Sequence, residues 1–294
     1  MKLMEYFKLI RIKHWIKNVF LFVPLVFSKH IFDVSYSSRI VIAFFAFSFL
    51  SSIVYIINDI IDRDSDRNHP QKKFRPLAAG TISINSAVAT AVLLLIANTP
   101  LSVGLGFKFV AISGGYFALN VFYSLYAKNV VLLDLFCIAG GFMLRVIAGA
   151  FAIDVEISSW LLLTTMFLSL FLAIMKRRSE LSHSDETNSK PVTRKVLESY
   201  SINFTDQLAA VSSSAVIICY ALYTMADRTI AAFRTANLIY TTPFVVFGIF
   251  RYMYLVHKQN QGENTTEVML TDRPMIITTM LYLLVTVLII YYHS

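Results

Sequence analysis

The chain predicts an all-α polytopic membrane protein, a bundle of about nine transmembrane helices with its N-terminus in the cytoplasm. Three observations carry that prediction. The composition is 56% hydrophobic and only 15% charged over 294 residues, with a mean hydropathy of +0.63, which excludes an ordinary soluble enzyme of this length. The charges fall in short clusters between long uncharged runs, the spacing of a polytopic protein. The 26 Lys and Arg behind the net charge of +8 are also distributed unevenly. An internal N-terminus places 20 of them on the cytoplasmic side and five outside (Lys29, Arg39, Lys108, Arg228, Arg234), with Arg145 inside a helix.

Uncharged stretches long enough for a hydrocarbon core, about 20 residues at 1.5 Å each, fall near 15–30, 39–61, 84–99, 104–126, 132–152, 158–176, 207–226, 237–256 and 275–292. The first follows Lys2, Lys8, Arg11, Lys13 and Lys17, as a signal peptide would. No small-residue cleavage site follows it, however, and Pro24 lies among bulky residues, so it reads as a membrane helix. The first and third stretches are short, which implies tilt or a break. No linker exceeds the polar stretch 181–205, so residues 1–294 are expected to form one integral domain, capped by the polar segments near 63–83 and 177–205. Cys137 and Cys219 sit in apolar runs and read as core residues rather than a disulfide or metal site.

The most informative segment runs from Asn58 to Gly80. At about 100° per residue, Asn58, Asp62, Asp66 and Asp59 share one arc of roughly 100°, while Asp64 falls near 240°, on the other side. Three carboxylates on one face at the mouth of a membrane helix repel one another and call for a cation. Hard oxygen ligands on a short stretch suit Mg²⁺, which takes one or two carboxylates and completes its shell with waters and substrate phosphates. The expected ligand is a diphosphate held through Mg²⁺, with Asp59, Asp62 and Asp66 as the catalytic and metal-holding set and Asn58 orienting it. Arg67, Lys72, Lys73 and Arg75 follow in a segment that Pro70 and Pro76 hold out of helix. These cations either close over phosphates or, as a positive-inside loop, touch anionic lipid head groups. His69 reads as a base, a turn residue or a phosphate contact.

The pattern Asn58-Asp59-x-x-Asp62-x-x-x-Asp66-Arg67, followed by Arg75-Pro76-Leu77 and Gly80, resembles the first aspartate-rich motif of the UbiA superfamily of intramembrane prenyltransferases. The resemblance implies nine membrane helices, a cavity open laterally to lipid, and a diphosphate bound through Mg²⁺ between two polar motifs. The second motif departs from the family. Where most members carry Asp-x-x-x-Asp after the sixth helix, this chain has Lys176-Arg177-Arg178-Ser179-Glu180-Leu181. One acidic and one basic motif imply a ligand more anionic than a prenyl diphosphate.

The branch of polyprenyl-phosphate phosphoribosyltransferases, of the decaprenyl-phosphate type, is the more similar one. Its features are matched by Asp66-Arg67-Asn68-His69-Pro70-Gln71-Lys72, Arg75 to Gly80, Tyr123-Ser124 with Lys128, Asp134, Gly141-Phe142-x-Leu144-Arg145 and Ala148-Gly149-Ala150. Arg11-x-x-x-Trp15-x-Lys17-Asn18 also fits, with Ile12 in place of a proline. The branch implies phosphoribosyl pyrophosphate as donor and a lipid phosphate as acceptor, and its extra phosphate gives the basic motif a role.

Asp134 and Arg145 lie 11 residues apart, hence about 20° apart around a helix and roughly 16 Å along it, so their stripe is expected to line a cavity. Asp134 then holds either a ribose hydroxyl or a metal-bound water. Arg145 either meets an anion or braces the bundle. Lys176 and Arg177 are expected at phosphate, with Arg178 as an inside anchor, and Lys176 and Glu180 have helical i,i+4 spacing. Tyr123, Ser124 and Lys128 close the fourth helix, where a phenol and an ammonium can grip phosphate or ribose. Lys17 completes the substrate-binding set.

The expected activity is Mg²⁺-dependent transfer of a 5-phosphoribosyl group from phosphoribosyl pyrophosphate to a polyprenyl phosphate, releasing pyrophosphate. It is expected in the bacterial inner membrane, with the active site facing the cytoplasm. A UbiA-type prenyl transfer from a prenyl diphosphate to an aromatic acceptor such as 4-hydroxybenzoate is the alternative, and a cation or lipid-phosphate transporter a further one. The transporter is disfavoured because the carboxylates lie at one membrane face rather than the midplane. The expected partners are the donor, the lipid acceptor and the bilayer, with no nucleic acid; oligomerisation is left open.

Overall fold

A computed structural model describes residues 2–69, 72–186, 195–259 and 271–292. Pro70 and Gln71, and residues 187–194 of the expected cap, lie outside them. Among the described residues every regular element is helical, as the bilayer requires of a chain that must satisfy its own backbone polar groups. The chain is an integral membrane protein. It forms two compact units, the first made of residues 1–25, 30–128 and 144–156, the second of 26–29, 129–143 and 157–294.

The first unit begins with α1 (Lys2–Leu9), a 3₁₀ segment (Ile12–Phe22) and the start of α2 (Val23–Phe27). Its long central element is α3 (Val34–Ile61), started by the Asp33 side chain, which accepts the Ser35 N–H at 2.9 Å. After α4 (Arg63–Arg67) come α5 (Ile84–Gly104), capped by Ser83, and α6 (Phe107–Leu125). The hydroxyl-rich middle of α3 receives the 3₁₀ segment: Trp15 Nε1 donates to Ser52 Oγ at 3.0 Å and Asn18 Nδ2 to Ser48 Oγ at 2.9 Å. Leu21, Ile40, Phe47, Phe109, Tyr116 and Ala148 form the core beside it. Ala148 and its neighbour Gly149 belong to α7 (Leu133–Ile153), whose residues from 144 onward join this unit. A Cβ at Gly149 would collide with the backbone carbonyl of Leu21, so only glycine permits that approach.

The second unit holds the start of α7, then α8 (Ser159–Glu186), α9 (Ile202–Met225), α10 (Asp227–Phe233), α11 (Thr242–Gln259) and α12 (Arg273–Tyr292). The Ser201 side chain caps α9 by accepting the Phe204 N–H. Phe171, Ile174, Val216, Tyr252, Leu255 and Met275 make its core.

Among the described residues seven helices are long and apolar enough to cross a bilayer: α3, α5, α7, α8, α9, the stretch Asn237–Lys258 and α12. The other two of the nine expected stretches are helical but differ. The first is wound as 3₁₀ over most of its length and turns at Arg11, whose backbone is left-handed (φ 53). In α6, Lys108, Ser113, the Gly114-Gly115 pair, Asn120 and Ser124 dilute the apolar character.

Candidate active site

The C-terminal end of α3 does not continue as one helix. Asp62, with φ −87 and ψ 4, ends α3 and precedes α4, its N–H still bonded to Asn58 O. That break sorts the acidic residues of the motif. Asp59 and Asp66, each 2% exposed, converge on one atom: Arg75 Nη1 donates to Asp59 Oδ1 at 3.1 Å and to Asp66 Oδ2 at 2.6 Å. Arg11 Nη2 also donates to Asp59 Oδ1, at 2.5 Å, and its guanidinium stacks over Tyr55 at 4.7 Å. Two buried carboxylates are thus neutralised by two guanidinia, which is what makes their burial tolerable.

Asp62 turns to a different partner, Lys128, whose Nζ is 3.0 Å from Asp62 Oδ1. Asn58 accepts the Ser124 hydroxyl at 2.7 Å. Asn58 and Asp62, in the last turn and at the C-cap of α3, therefore meet Ser124 in the last turn of α6 and Lys128 in the 3₁₀ segment Ala127–Asn129 just after it. Asp64 is solvated, 88% exposed, and sits 3.5 Å from Arg67, as its position on the opposite face predicts.

In the basic loop, Arg75 is the cation aimed into the site. Arg67 donates to the Ala78 carbonyl at 3.3 Å, Lys73 is exposed over the Phe74 ring, and Lys72 is half-buried. The Lys72 N–H donates to His69 Nδ1 at 3.2 Å, which makes His69 a turn residue. Burial, reinforced by the neighbouring Lys72 charge, lowers the His69 pKa from its ordinary value and favours the neutral ring that this bond requires. Tyr123 is half-buried on α6, next to Ser124.

The donor set fits a divalent cation at one point. Asp59 and Asp66, which converge on Arg75 Nη1, would be the residues to hold it, two carboxylates being what Mg²⁺ ordinarily takes from protein. Among the described residues no three acidic, His or Cys side chains form a ready metal cluster, because Asp62 points to Lys128.

Along the 3₁₀ segment, Arg145 is buried and its Nε donates to Asn18 Oδ1 at 2.8 Å and its Nη2 to the Tyr116 hydroxyl at 2.9 Å. It packs over the rings of Phe47 and Tyr116, which is the bracing arrangement. Lys17, one residue before Asn18, is partly buried.

The second basic motif belongs to the other unit. Arg177, 1% exposed, places Nε 2.9 Å from Asp134 Oδ2 and Nη1 2.9 Å from Glu180 Oε2. Tyr200 donates its hydroxyl to Asp134 Oδ1 at 2.8 Å and accepts the Leu132 N–H at 2.8 Å. Burial raises the Tyr200 pKa and keeps it a donor. Arg177, expected at a phosphate, is thus enclosed by carboxylates, and Asp134 by Arg177 and Tyr200. Arg178 is the anchor, 2.6 Å from Asp206, and Lys176 is half-buried.

Arg11, Asn18, Tyr116 and Tyr200 were not among the expected site residues. Arg11 and Asn18 carried a signal as the two ends of the Arg11-x-x-x-Trp15-x-Lys17-Asn18 pattern; Tyr116 and Tyr200 find their partners across 29 and 66 positions of sequence.

Membrane helices among which α3 and the short α4 after it bring a carboxylate pair onto one guanidinium make this the candidate site for an anionic, metal-compatible ligand. The UbiA prenyltransferase family model matches residues 20–272, and the chain belongs to that family. It is 32% identical over 280 residues to the decaprenyl-phosphate phosphoribosyltransferase of Mycolicibacterium smegmatis, covering 90% of this chain and 86% of that one. To the protein of the same name from Corynebacterium glutamicum it is 37% identical over 224 residues, 74% of this chain and 66% of that one. In fold it is similar to a UbiA homolog from Archaeoglobus fulgidus bound to GPP and Mg²⁺, with a TM-score of 0.71, 19% identity, and coverage of 97% and 99%.

Proposed function

We propose that the protein transfers the 5-phosphoribosyl group of phosphoribosyl pyrophosphate to a polyprenyl phosphate, at the cytoplasmic face of a bacterial inner membrane. The observation that carries the reading is the convergence of Asp59 and Asp66 on Arg75 Nη1, in a chain similar over nine-tenths of its length to proteins named for that activity.

Asp59 and Asp66 would hold Mg²⁺, which when bound would supply charge neutralisation for the departing diphosphate. Arg75, released from the two carboxylates, is then free to fork onto a phosphate. Asn58 is held in place by Ser124, and Lys128 stands at the rim beside Asp62 as a further phosphate contact. In the reaction the acceptor's phosphate oxygen attacks the anomeric carbon, the bond from that carbon to the pyrophosphate oxygen breaks, and pyrophosphate leaves with the electron pair. The nucleophile is already ionised, so no protein base is needed; the side chains supply position and charge.

The test is purified protein with Mg²⁺ and two substrate pairs, labelled phosphoribosyl pyrophosphate with polyprenyl phosphate, and a prenyl diphosphate with 4-hydroxybenzoate. Label is expected in lipid in the first. Product only in the second would replace this reading with prenyl transfer, and ion flux in liposomes without either product would replace it with transport.

A further inference from the structure

The 3₁₀ segment registers against α3 step by step. Arg11 meets Asp59, Trp15 meets Ser52, and Asn18 meets Ser48. Seven α-helical residues separate Asp59 from Ser52, so Lys17, between Trp15 and Asn18, lies roughly 10 Å further into the bilayer than Asp59. Among the described residues its ammonium makes no hydrogen bond or ion pair, and the charges that bear on it are those of Arg145 and Arg11, both like its own. An ammonium desolvated beside other cations, with no carboxylate of its own, is costly unless an anion joins it. The same segment turns Ile16 and Val19 outward, 45% and 46% exposed. A cation with a strip of exposed apolar side chains on one element matches an amphiphile whose head is an anion and whose tail is hydrocarbon.

We propose that Lys17 seats the phosphate of the lipid acceptor, on the bilayer side of the Asp59–Asp66–Arg75 site, with the lipid's first isoprene units against Ile16 and Val19. This deepens the proposed function and rests on it for the identity of the acceptor. The flexible lysine stem lets the ammonium meet a phosphate monoester as a point charge, and such an anion would lie between the bilayer and the carboxylate pair, where an attacking oxygen must enter.

The experiment measures binding without chemistry: full-length protein in nanodiscs, free of Mg²⁺ and donor, titrated with farnesyl phosphate, farnesol, inorganic phosphate and phosphatidic acid. Farnesyl phosphate is expected to bind the wild type, with Lys17→Gln weakening it at least tenfold, and Lys17→Arg and the control Lys13→Gln within threefold of wild type. Equal binding by Lys17→Gln would overturn the inference, as would loss in the Lys13→Gln control. Competition by phosphatidic acid or inorganic phosphate at the same concentration would overturn it too, the first by making this a general lipid site and the second a free-phosphate site. Retained binding by Lys17→Arg guards against a folding artefact. If binding behaves as expected but no phosphoribosyl transfer follows on adding Mg²⁺ and donor, the lipid-phosphate seat stands and the assignment of the reaction falls.

Discussion

Arg11 and Asp59, 48 positions apart, are joined guanidinium to carboxylate at 2.5 Å, and the arginine's backbone is left-handed. Removing its side chain has two separable effects. Arg11→Ala should destabilise the protein by roughly 1–3 kcal/mol, the range for a lost charge-assisted hydrogen bond to a buried acceptor. Arg11→Gly loses the same bond but relaxes φ, so it should be more stable than the alanine variant by about 1 kcal/mol. Thermal unfolding of the two variants in one detergent checks the order; the reverse order would mean the left-handed turn is not strained.

Metal dependence should follow the convergence rather than the sequence pattern. Asp59→Asn and Asp66→Asn are expected to abolish turnover, while Asp62→Asn, which loosens only Lys128, should retain measurable activity with a raised KM for the donor. Chelation should stop the wild type and added Mg²⁺ restore it. A Mg²⁺ titration of the Asp62 variant indistinguishable from the Asp66 variant would place all three carboxylates on the metal.

The Asp134–Arg177 pair predicts a stability effect. Asp134→Ala leaves a guanidinium that is 1% exposed without one of its carboxylates, a change expected to cost about 3–5 kcal/mol. Tyr200→Phe removes only the bonds to Asp134 and the Leu132 N–H and should cost about 1–2 kcal/mol. Unfolding midpoints rank them, and an Asp134→Ala protein as stable as wild type would return Asp134 to a purely ligand-binding role.

Gly149→Ala pushes a methyl into the Leu21 carbonyl, a backbone atom that cannot rotate away. Overpacking of this kind is expected to cost about 1–3 kcal/mol, read as a lowered Tm with Mg²⁺ affinity unchanged.

Asp272 gives a pH signature. Its carboxylate takes two bonds from Arg251, at 3.1 and 2.8 Å, and the Met275 N–H at 2.9 Å, and the Arg251 bond holds its pKa below the ordinary 3.8. A depressed carboxylate contributes stability that is complete above its unfolded pKa and is lost as pH falls through the lower folded value. Acid unfolding below about pH 4 should therefore be less steep in Asp272→Asn than in wild type; an unchanged slope would remove this pair from the acid response.

Local spacing made part of the site readable and topology hid the rest. Asn58, Asp59 and Asp66 sit within a few turns of one another, so helical arithmetic placed them well, including Asp64 on the far side. Asp62 keeps the helical register of Asn58 but pairs with Lys128, 66 positions away, which local spacing cannot show. Arg75 was legible only as one cation among four, since which of them enters the site depends on how the loop folds back to the end of α3. Arg177 read as a phosphate contact because its carboxylate partner Asp134 lies 43 positions away. The spans were legible wherever the apolar run was long enough for an α-helix, and least so at the first.

That first span has a length that its winding explains. At about 2.0 Å per residue the 11 residues of Ile12–Phe22 reach about 22 Å, and the five of α2 add roughly 7 Å at 1.5 Å each, close to the roughly 30 Å of a bilayer's apolar interior. Wound as an ordinary α-helix, the same residues would stop near 24 Å. The stretched coil gives these residues more reach along their axis than an ordinary α-helix of the same length would have.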